Sequence, residues 1–218
     1  MQPIKITAHL YNGFTSSDPW SPSIDGILAY WVMRERLGDD FHSPTNPMEM
    51  QPVEGLPLQR IEHGDWWWYA ASSPIYQTHA SARKYAHRRF DDAHEARLDL
   101  QGKSGKVLTA AGPYKNARIP LLLRVTDSVE WHVIGDQAEI ERLLGRCGNI
   151  GAKFGSGYGR VKRWSFSPGD AEIAMRQRPV PADYAAAQGI VGEEMRWGLR
   201  PPARLPINTT MCVMPEVA

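Results

Sequence analysis

The stretch GAKFGSGYGRV, Gly151 to Val161, joins four glycines to two bases and two aromatics without a single acid. Glycine carries no Cβ, so the backbone N–H groups beside it can come close to an anionic chain. Lys153 and Arg160 have the charge to pair with phosphates, and Phe154 or Tyr158 offers a ring on which a base can stack. Gly151, Gly155, Ser156, Gly157, Gly159 and Lys162 complete the set expected to touch RNA. The plainer alternative is a tight connection from a helix to a strand. Five glycines from Gly148 to Gly159 exceed what one turn needs, so contact with an RNA backbone is the favoured reading. Nucleotide-cofactor motifs fit badly. A dinucleotide fingerprint runs strand, glycines, helix with the spacing G-x-G-x-x-G, whereas here the order is helix, glycines, strand. LQGKSGK fails as a Walker A loop, because the glycine required five residues before Gly102 is Arg97. No cofactor is expected.

A second chemistry-bearing set lies between Tyr76 and Arg118. Arg83, Lys84, His87, Arg88, Arg89, Lys103, Lys106, Lys115 and Arg118 are interleaved with Tyr85, Phe90 and Tyr114. This composition suits a thumb-like protrusion that grips nucleic acid or meets a neighbouring subunit. The alternative is a solvated helix in which Asp91, Asp92 and Glu95 pair with the arginines. His79 and His87, with Arg88 and Arg89, hold the residue types that metal-free cleavage by a 2′-OH requires: a base, an acid and charge stabilisation. Solvated histidines in a basic arm are the favoured reading of the same residues, and no catalytic residue is assigned. No His, Glu and Asp cluster has metal-ligand spacing.

The elements that must hold these residues follow from periodicity. Ile4, Ile6, Ala8 and Leu10 alternate with polar neighbours, which predicts a half-buried strand. Asn12-Gly13 ends it. Ile24, Ile27, Leu28, Trp31 and Leu37 fall near helical spacing, with Ser23 as N-cap and Gly38 as stop. Leu56 to Ser72 reads as a hairpin turning near His63-Gly64-Asp65, and Trp66 to Tyr69 must send aromatics to both faces. RIPLLLRVTDS and VEWHVIGD are strands. DQAEIERLLGRC is a helix opened by Asp136 and Glu139, with Ile140, Leu143 and Leu144 as its apolar face. YGRVKRWSF is the strand after the glycines. Without the insertion and extra strands this is βαββαβ, a ferredoxin-like, RRM-like α+β fold. Residues 1–168 form that domain, with a basic thumb-like insertion at about 73–116. Residues 169–218 are a Pro-rich extension of little periodicity, packed on or beside the domain as an arm or as coil.

The chain has 218 residues, 42% hydrophobic and 22% charged, which is ordinary for one soluble globular domain. Cys147 and Cys212 make neither a disulfide framework nor a metal cluster. No signal peptide or membrane span is legible, and a cytoplasmic location is expected. The net charge of +1 hides an uneven distribution. The first 80 residues carry four bases against nine acids, whereas Arg146 to Gly169 holds five bases and no acid. Local field, rather than total charge, governs polyanion binding.

The glycine-rich loop after the last helix, ending in Gly157-Tyr158-Gly159-Arg160-Val161 and running into a strand, resembles the signature of the RAMP superfamily. These are the RNA-binding proteins of CRISPR systems. IKITAHL followed by IDGILAYW looks like the opening of small RAMP proteins of type IV systems, and Arg178 to Pro181 is similar to a segment near their end. The resemblance implies a non-catalytic, Cas-five-type subunit of a type IV CRISPR effector complex. It implies binding to the 5′ handle of the guide RNA and nucleation of the backbone filament. It further implies backbone RAMP subunits and the large or small subunit as partners, with target DNA contacted beside the protospacer. One alternative is a Cas-six-type endoribonuclease that processes guide RNA through His79 or His87. Another is a ferredoxin-like module that binds a protein or metabolite and has no RNA role.

Overall fold

A computed structural model describes the chain except residues 43–45, 92, 95–106, 113, 217 and 218. Lys103 and Lys106 therefore lie outside the described residues, and of Phe154 only the backbone is described.

The central sheet is built on β1 (Gln2–Leu10), whose alternating Ile4, Ile6, Ala8 and Leu10 are all buried. A short strand β2 (Phe14–Ser16) follows the turn at Gly13. Helix α1 (Ile24–Leu37) begins where the Ser23 side chain accepts from the Gly26 amide, and it ends at Gly38 with φ +55°. Both ends are those expected from the sequence. The β3–β4 hairpin (Arg60–His63 and Trp66–Tyr69) turns at Gly64-Asp65, as expected.

Strands β5 (Ala80–Arg88) and β6 (Ala117–Val125) pair over nine residues each. β7 (Ser128–Gly135) then returns to the central sheet and leads into helix α2 (Gln137–Leu144), capped by Asp136. β8 (Val161–Pro168) closes the sheet. The order is β7-β1-β8, antiparallel throughout. Segment 70–76 runs along the other edge of β7 as a broken strand, bridged at Ala71 to Val133 and at Ile75 to Glu130. The spatial order is thus 70–76, β7, β1, β8, with β1 inserted into the β7-α2-β8 crossover. This α+β arrangement is consistent with an RRM-like fold. Helices α1 and α2 cover one face, where Leu28, Ile140, Leu143 and Leu144 bury themselves against Ile4, Ile6, Trp131 and Val133.

Two expected regions take different forms. Among the described residues, the stretch read as a basic insertion of about 73–116 has no helix between His79 and His87. It holds strand β5, which pairs with β6 to give a ribbon extending to Val125. Residues 73–76 instead border the main sheet. The tail after Pro168 has more order than coil. It folds into α3 (Ala171–Arg176), β9 (Val180–Pro181), α4 (Ala182–Ala187), β10 (Glu194–Gly198) and β11 (Thr209–Val213). Its three strands form a sheet in the order β10-β11-β9, and its core of Val180, Leu199, Cys212 and Met214 closes over Trp68 of β4. Arg178, fully buried, joins the layers by donating to the carbonyls of Tyr69, Ala71 and Leu199. No described helix is long and apolar enough to cross a membrane.

Candidate nucleic-acid interface

The glycine loop has a fixed stem and an open tip. In the stem, the amide of Val161 donates to Gly148 O at 2.9 Å and that of Ile150 to Gly159 O at 2.8 Å. The Gly159 amide donates to Gly13 O at 2.9 Å, and the Ala152 amide to Thr15 O at 2.8 Å. The Thr15 hydroxyl returns a bond to Ala152 O at 2.5 Å. Two of the expected RNA-contacting glycines have their bareness consumed by this packing. A Cβ on Gly159, at φ +67°, would overlap the Ile150 carbonyl oxygen, and one on Gly151, at φ +76°, would lie 2.5 Å from Thr15 O. Gly155 and Gly157 differ: a Cβ there would meet nothing within 4 Å. The surface free to receive a ligand backbone is therefore the tip, Lys153 to Tyr158. Lys153 sits in the left-handed region at φ +57°, and the Ser156 amide donates to its carbonyl at 2.9 Å. Lys153, Gly155, Ser156 and Gly157 are exposed, whereas Tyr158 is half-buried.

Arg160 and Lys162 lie at the foot of the tip, where β8 begins. The Arg160 guanidinium stands 5.2 Å from the ring centroid of Tyr11, which is 61% exposed. Tyr11 belongs to this surface although the glycine motif gives no hint of it. The available signal was an aromatic directly after a strand and before Asn12-Gly13, and only the fold brings it beside Arg160. On the sheet face away from the helices, His9 lies opposite Arg163 and shares a 2.9 Å hydrogen bond with Ser165. Partial burial, reinforced by Arg163, holds its pKa below the ordinary histidine value. At the other end of that face His132 Nδ1 accepts from the Asp170 amide, so α3 closes off part of the sheet.

A groove of about 560 Å³ adjoins the stem, between β2, the start of α1 and residues 146–152. The hydroxyl-bearing residues Thr15, Ser16, Ser17, Ser21 and Ser23 line it. Arg146 reaches this groove, but its charge is shared. Glu35 takes it at 2.8 Å and Arg142 at 2.7 Å, a network that holds the Glu35 carboxyl down at a pKa of about 2.

The basic arm joins this surface through β2, whose Thr15 pairs with Leu123 of β6 on one edge and bonds Ala152 on the other. Cross-strand partners share a face, so the ribbon sorts its residues. Arg83, Tyr85, His87, Arg118 and Arg124 fall on one face with Leu122, and the Arg118 guanidinium lies 3.7 Å over the Tyr85 ring. Lys84 and Arg88 fall on the other face, with Ala82, Ala86, Ile119, Leu121 and Leu123. Arg89 and Lys115 are exposed beyond the strand ends. The expected thumb residues are thus brought onto one protrusion but divided between two faces. Among the described residues Arg83, Lys84, Arg118, Lys153 and Arg160 pair with no carboxylate. His79, at the foot of the arm, sits 3.2 Å from Asp127. His87 is eight residues further along the strand, about 26 Å at the usual rise. The two cannot act together on one phosphodiester.

No group of three metal-ligating side chains occurs among the described residues. No curated protein matches the chain. A family model does, over residues 2–215: that of CRISPR type IV associated protein Csf3. Coverage of nearly the whole chain, including the arm and the C-terminal layer, shows that the protein belongs to the Csf3 family of type IV CRISPR-associated proteins.

Proposed function

We propose that this chain is a non-catalytic, guide-RNA-binding subunit of a type IV CRISPR effector complex, of the Cas-five-type RAMP class. It caps the 5′ handle of the guide and nucleates the backbone of RAMP subunits, with the target duplex held beside the protospacer. One observation carries the reading. The outward tip at Gly155 and Gly157 lies between Lys153 and Arg160, two cations that pair with no carboxylate among the described residues, and Arg160 stands beside the exposed Tyr11 ring. This is a surface that a phosphate backbone can approach, with a ring for one base. The arm extends the same field, and its Arg83, Tyr85 and Arg118 face can follow the strand or meet the neighbouring subunit.

If about four phosphates are neutralised, log K falls with log salt at a slope of about −3 for a single strand. That suits a subunit whose grip is completed by its neighbours. The test is binding of labelled repeat RNA across salt in EDTA, with Lys153→Glu and Arg160→Glu combined. The expected result is salt-dependent binding that the double substitution weakens at least tenfold at low salt, with the RNA intact. Unchanged affinity in the variant, or site-specific cleavage by the wild type, overturns the reading.

A further inference from the structure

A second cavity, of about 330 Å³, lies on the other side of the α1 N-terminus from the groove, between α1 and the C-terminal layer. Rings from three separated parts of the chain line it: Trp20 and Trp197, with centroids 5.6 Å apart, and Tyr30 and Phe41, 5.1 Å apart. Within this aromatic wall sits one ion pair. Asp25 Oδ2 lies 4.0 Å from Arg178 Nη2, and both side chains are more than nine-tenths buried. The geometry is incomplete. Asp25 Oδ1 accepts from the Gly26 amide at 2.8 Å, whereas Oδ2 accepts no hydrogen bond from any described residue. Arg178 does not supply it: its Nη2 donates to Leu199 O and stands beyond hydrogen-bond reach of Oδ2, while Nε and Nη1 go to the carbonyls of Pro179, Tyr69 and Ala71. Asp25 lines the cavity, so this spare acceptor, charge-compensated by Arg178, is open to a donor arriving from outside.

The ligand class follows from these constraints. Arg178 already balances the charge of Asp25, so a cation gains little, and an anion meets the carboxylate. A neutral planar molecule with two adjacent N–H donors can bond Oδ2 and the lone pair of Oδ1 that the Gly26 amide leaves unused, while its faces stack on the rings. Among the nucleobases only guanine carries two adjacent donors on its Watson–Crick edge, the N1–H and the N2 amine. Adenine and cytosine set a ring-nitrogen acceptor beside the amine, and uracil flanks its N–H with carbonyls. Ser21, Ser23, Gly26 and Tyr30 line both this cavity and the groove beside the glycine loop. A base extruded from a strand in the groove therefore has a short path around α1.

We propose that this cavity is a guanine site, read by Asp25 and walled by Trp20, Tyr30, Phe41 and Trp197. The base arrives either as a free nucleoside or on a bound strand. The second route rests on the RNA-binding reading, whereas the cavity chemistry does not.

The experiment uses the full chain and calorimetry with guanosine, adenosine, cytidine and uridine, alongside short RNAs with and without a single guanine. Asp25→Asn keeps the shape and loses the charge. Because it leaves Arg178 buried without its counter-ion, Tyr30→Ala, which alters a side chain that is 41% exposed, serves as the second probe. Guanosine binding over the other nucleosides, reduced about tenfold by Asp25→Asn and several-fold by Tyr30→Ala, supports the site for a free nucleoside. A guanine preference seen only in RNA, and erased by the same variants, supports it for a base on a strand. Guanosine binding that survives Lys153→Glu with Arg160→Glu, in a protein that binds no RNA, keeps the site and removes the RNA role. RNA binding lost in that loop variant, but with no guanine preference and no effect of Tyr30→Ala, removes the site and keeps the RNA role. No guanine preference in nucleoside or RNA overturns the proposal.

Discussion

The glycine loop and the β5–β6 arm carry similar residues and hold them in opposite ways. Both mix arginine, lysine and aromatic rings, and in both at least two cations have no carboxylate partner among the described residues. The loop is clamped: backbone bonds to Gly13 and Thr15 fix its stem, and Gly151 and Gly159 fit where no side chain can. The arm is a two-stranded ribbon joined to the body at its base through β2, with β5 mostly exposed along its length. Such a ribbon gains little from burial and rests on cross-strand contacts such as Arg118 on Tyr85. Charges on a clamped loop act from fixed positions, so little ordering cost is met on binding. Charges on a ribbon can adapt to a strand or a partner, and part of their interaction energy is spent on ordering.

The largest expected effect separates the two kinds of glycine within the loop itself. Gly159→Ala forces a Cβ onto the Ile150 carbonyl and should destabilise the fold by about 2–4 kcal/mol. Gly157→Ala meets open space and should cost only the left-handed backbone strain, about 1 kcal/mol. Thermal melts of the two variants decide it, and equal losses would mean that the tip is as constrained as the stem.

A smaller effect tests loop against arm. Reversing Lys153 and Arg160 should flatten the salt slope from about −3 to about −1.5, because two of about four contacts are removed. Reversing Arg83 and Arg118 should lower RNA affinity of the isolated chain by a smaller factor, on the order of threefold, since an adaptable ribbon contributes less per charge. An arm variant that loses as much as the loop variant would invert the comparison.

The smallest effect concerns the one arginine next to the loop whose charge is already used. Glu35, held near a pKa of about 2 chiefly by its bond with Arg142 and also by Arg146, is ionised in the fold at pH values where the free carboxyl is not. A depressed carboxyl pKa adds stability above its ordinary value of about 4.5, and that stability is lost as pH falls toward 2. Glu35→Gln should therefore melt slightly below wild type at pH 7, with the gap closing by pH 2. A gap that persists at pH 2 would assign the effect to packing rather than charge.

Much of the central fold is legible in the sequence because it depends on local periodicity and caps. The alternation of Ile4 to Leu10, Ser23 before α1, Gly38 after it, and Asp136 before α2 all act where they stand. Of the arm, β6 was legible as a strand in RIPLLLRV, whereas β5 was not. ASARKYAHR has no β-branched residue, and its extended form is imposed by nine cross-strand pairs with β6. Pro120 in β6 is tolerated because β2 pairs only with Leu122 to Arg124, which leaves Pro120 unpaired on that side. The C-terminal layer was not legible either, since its short strands are held by packing over Trp68 rather than by a pattern of their own.

The candidate site divides along the same line. Composition and order were enough to single out the glycine loop, since glycine, lysine and arginine carry their chemistry in the residue type. Which glycines face outward, which arginines are free and which histidines share a site are decided by contacts between residues far apart in the chain. Arg160 meets Tyr11, Arg146 is taken by Glu35, and Arg178 closes on Asp25 and three distant carbonyls. The sequence by itself determined a basic, glycine-rich loop after a helix in an α+β domain. Only tertiary structure decided how each charge is used, because the field of a charge depends on the burial and the partner that the fold gives it.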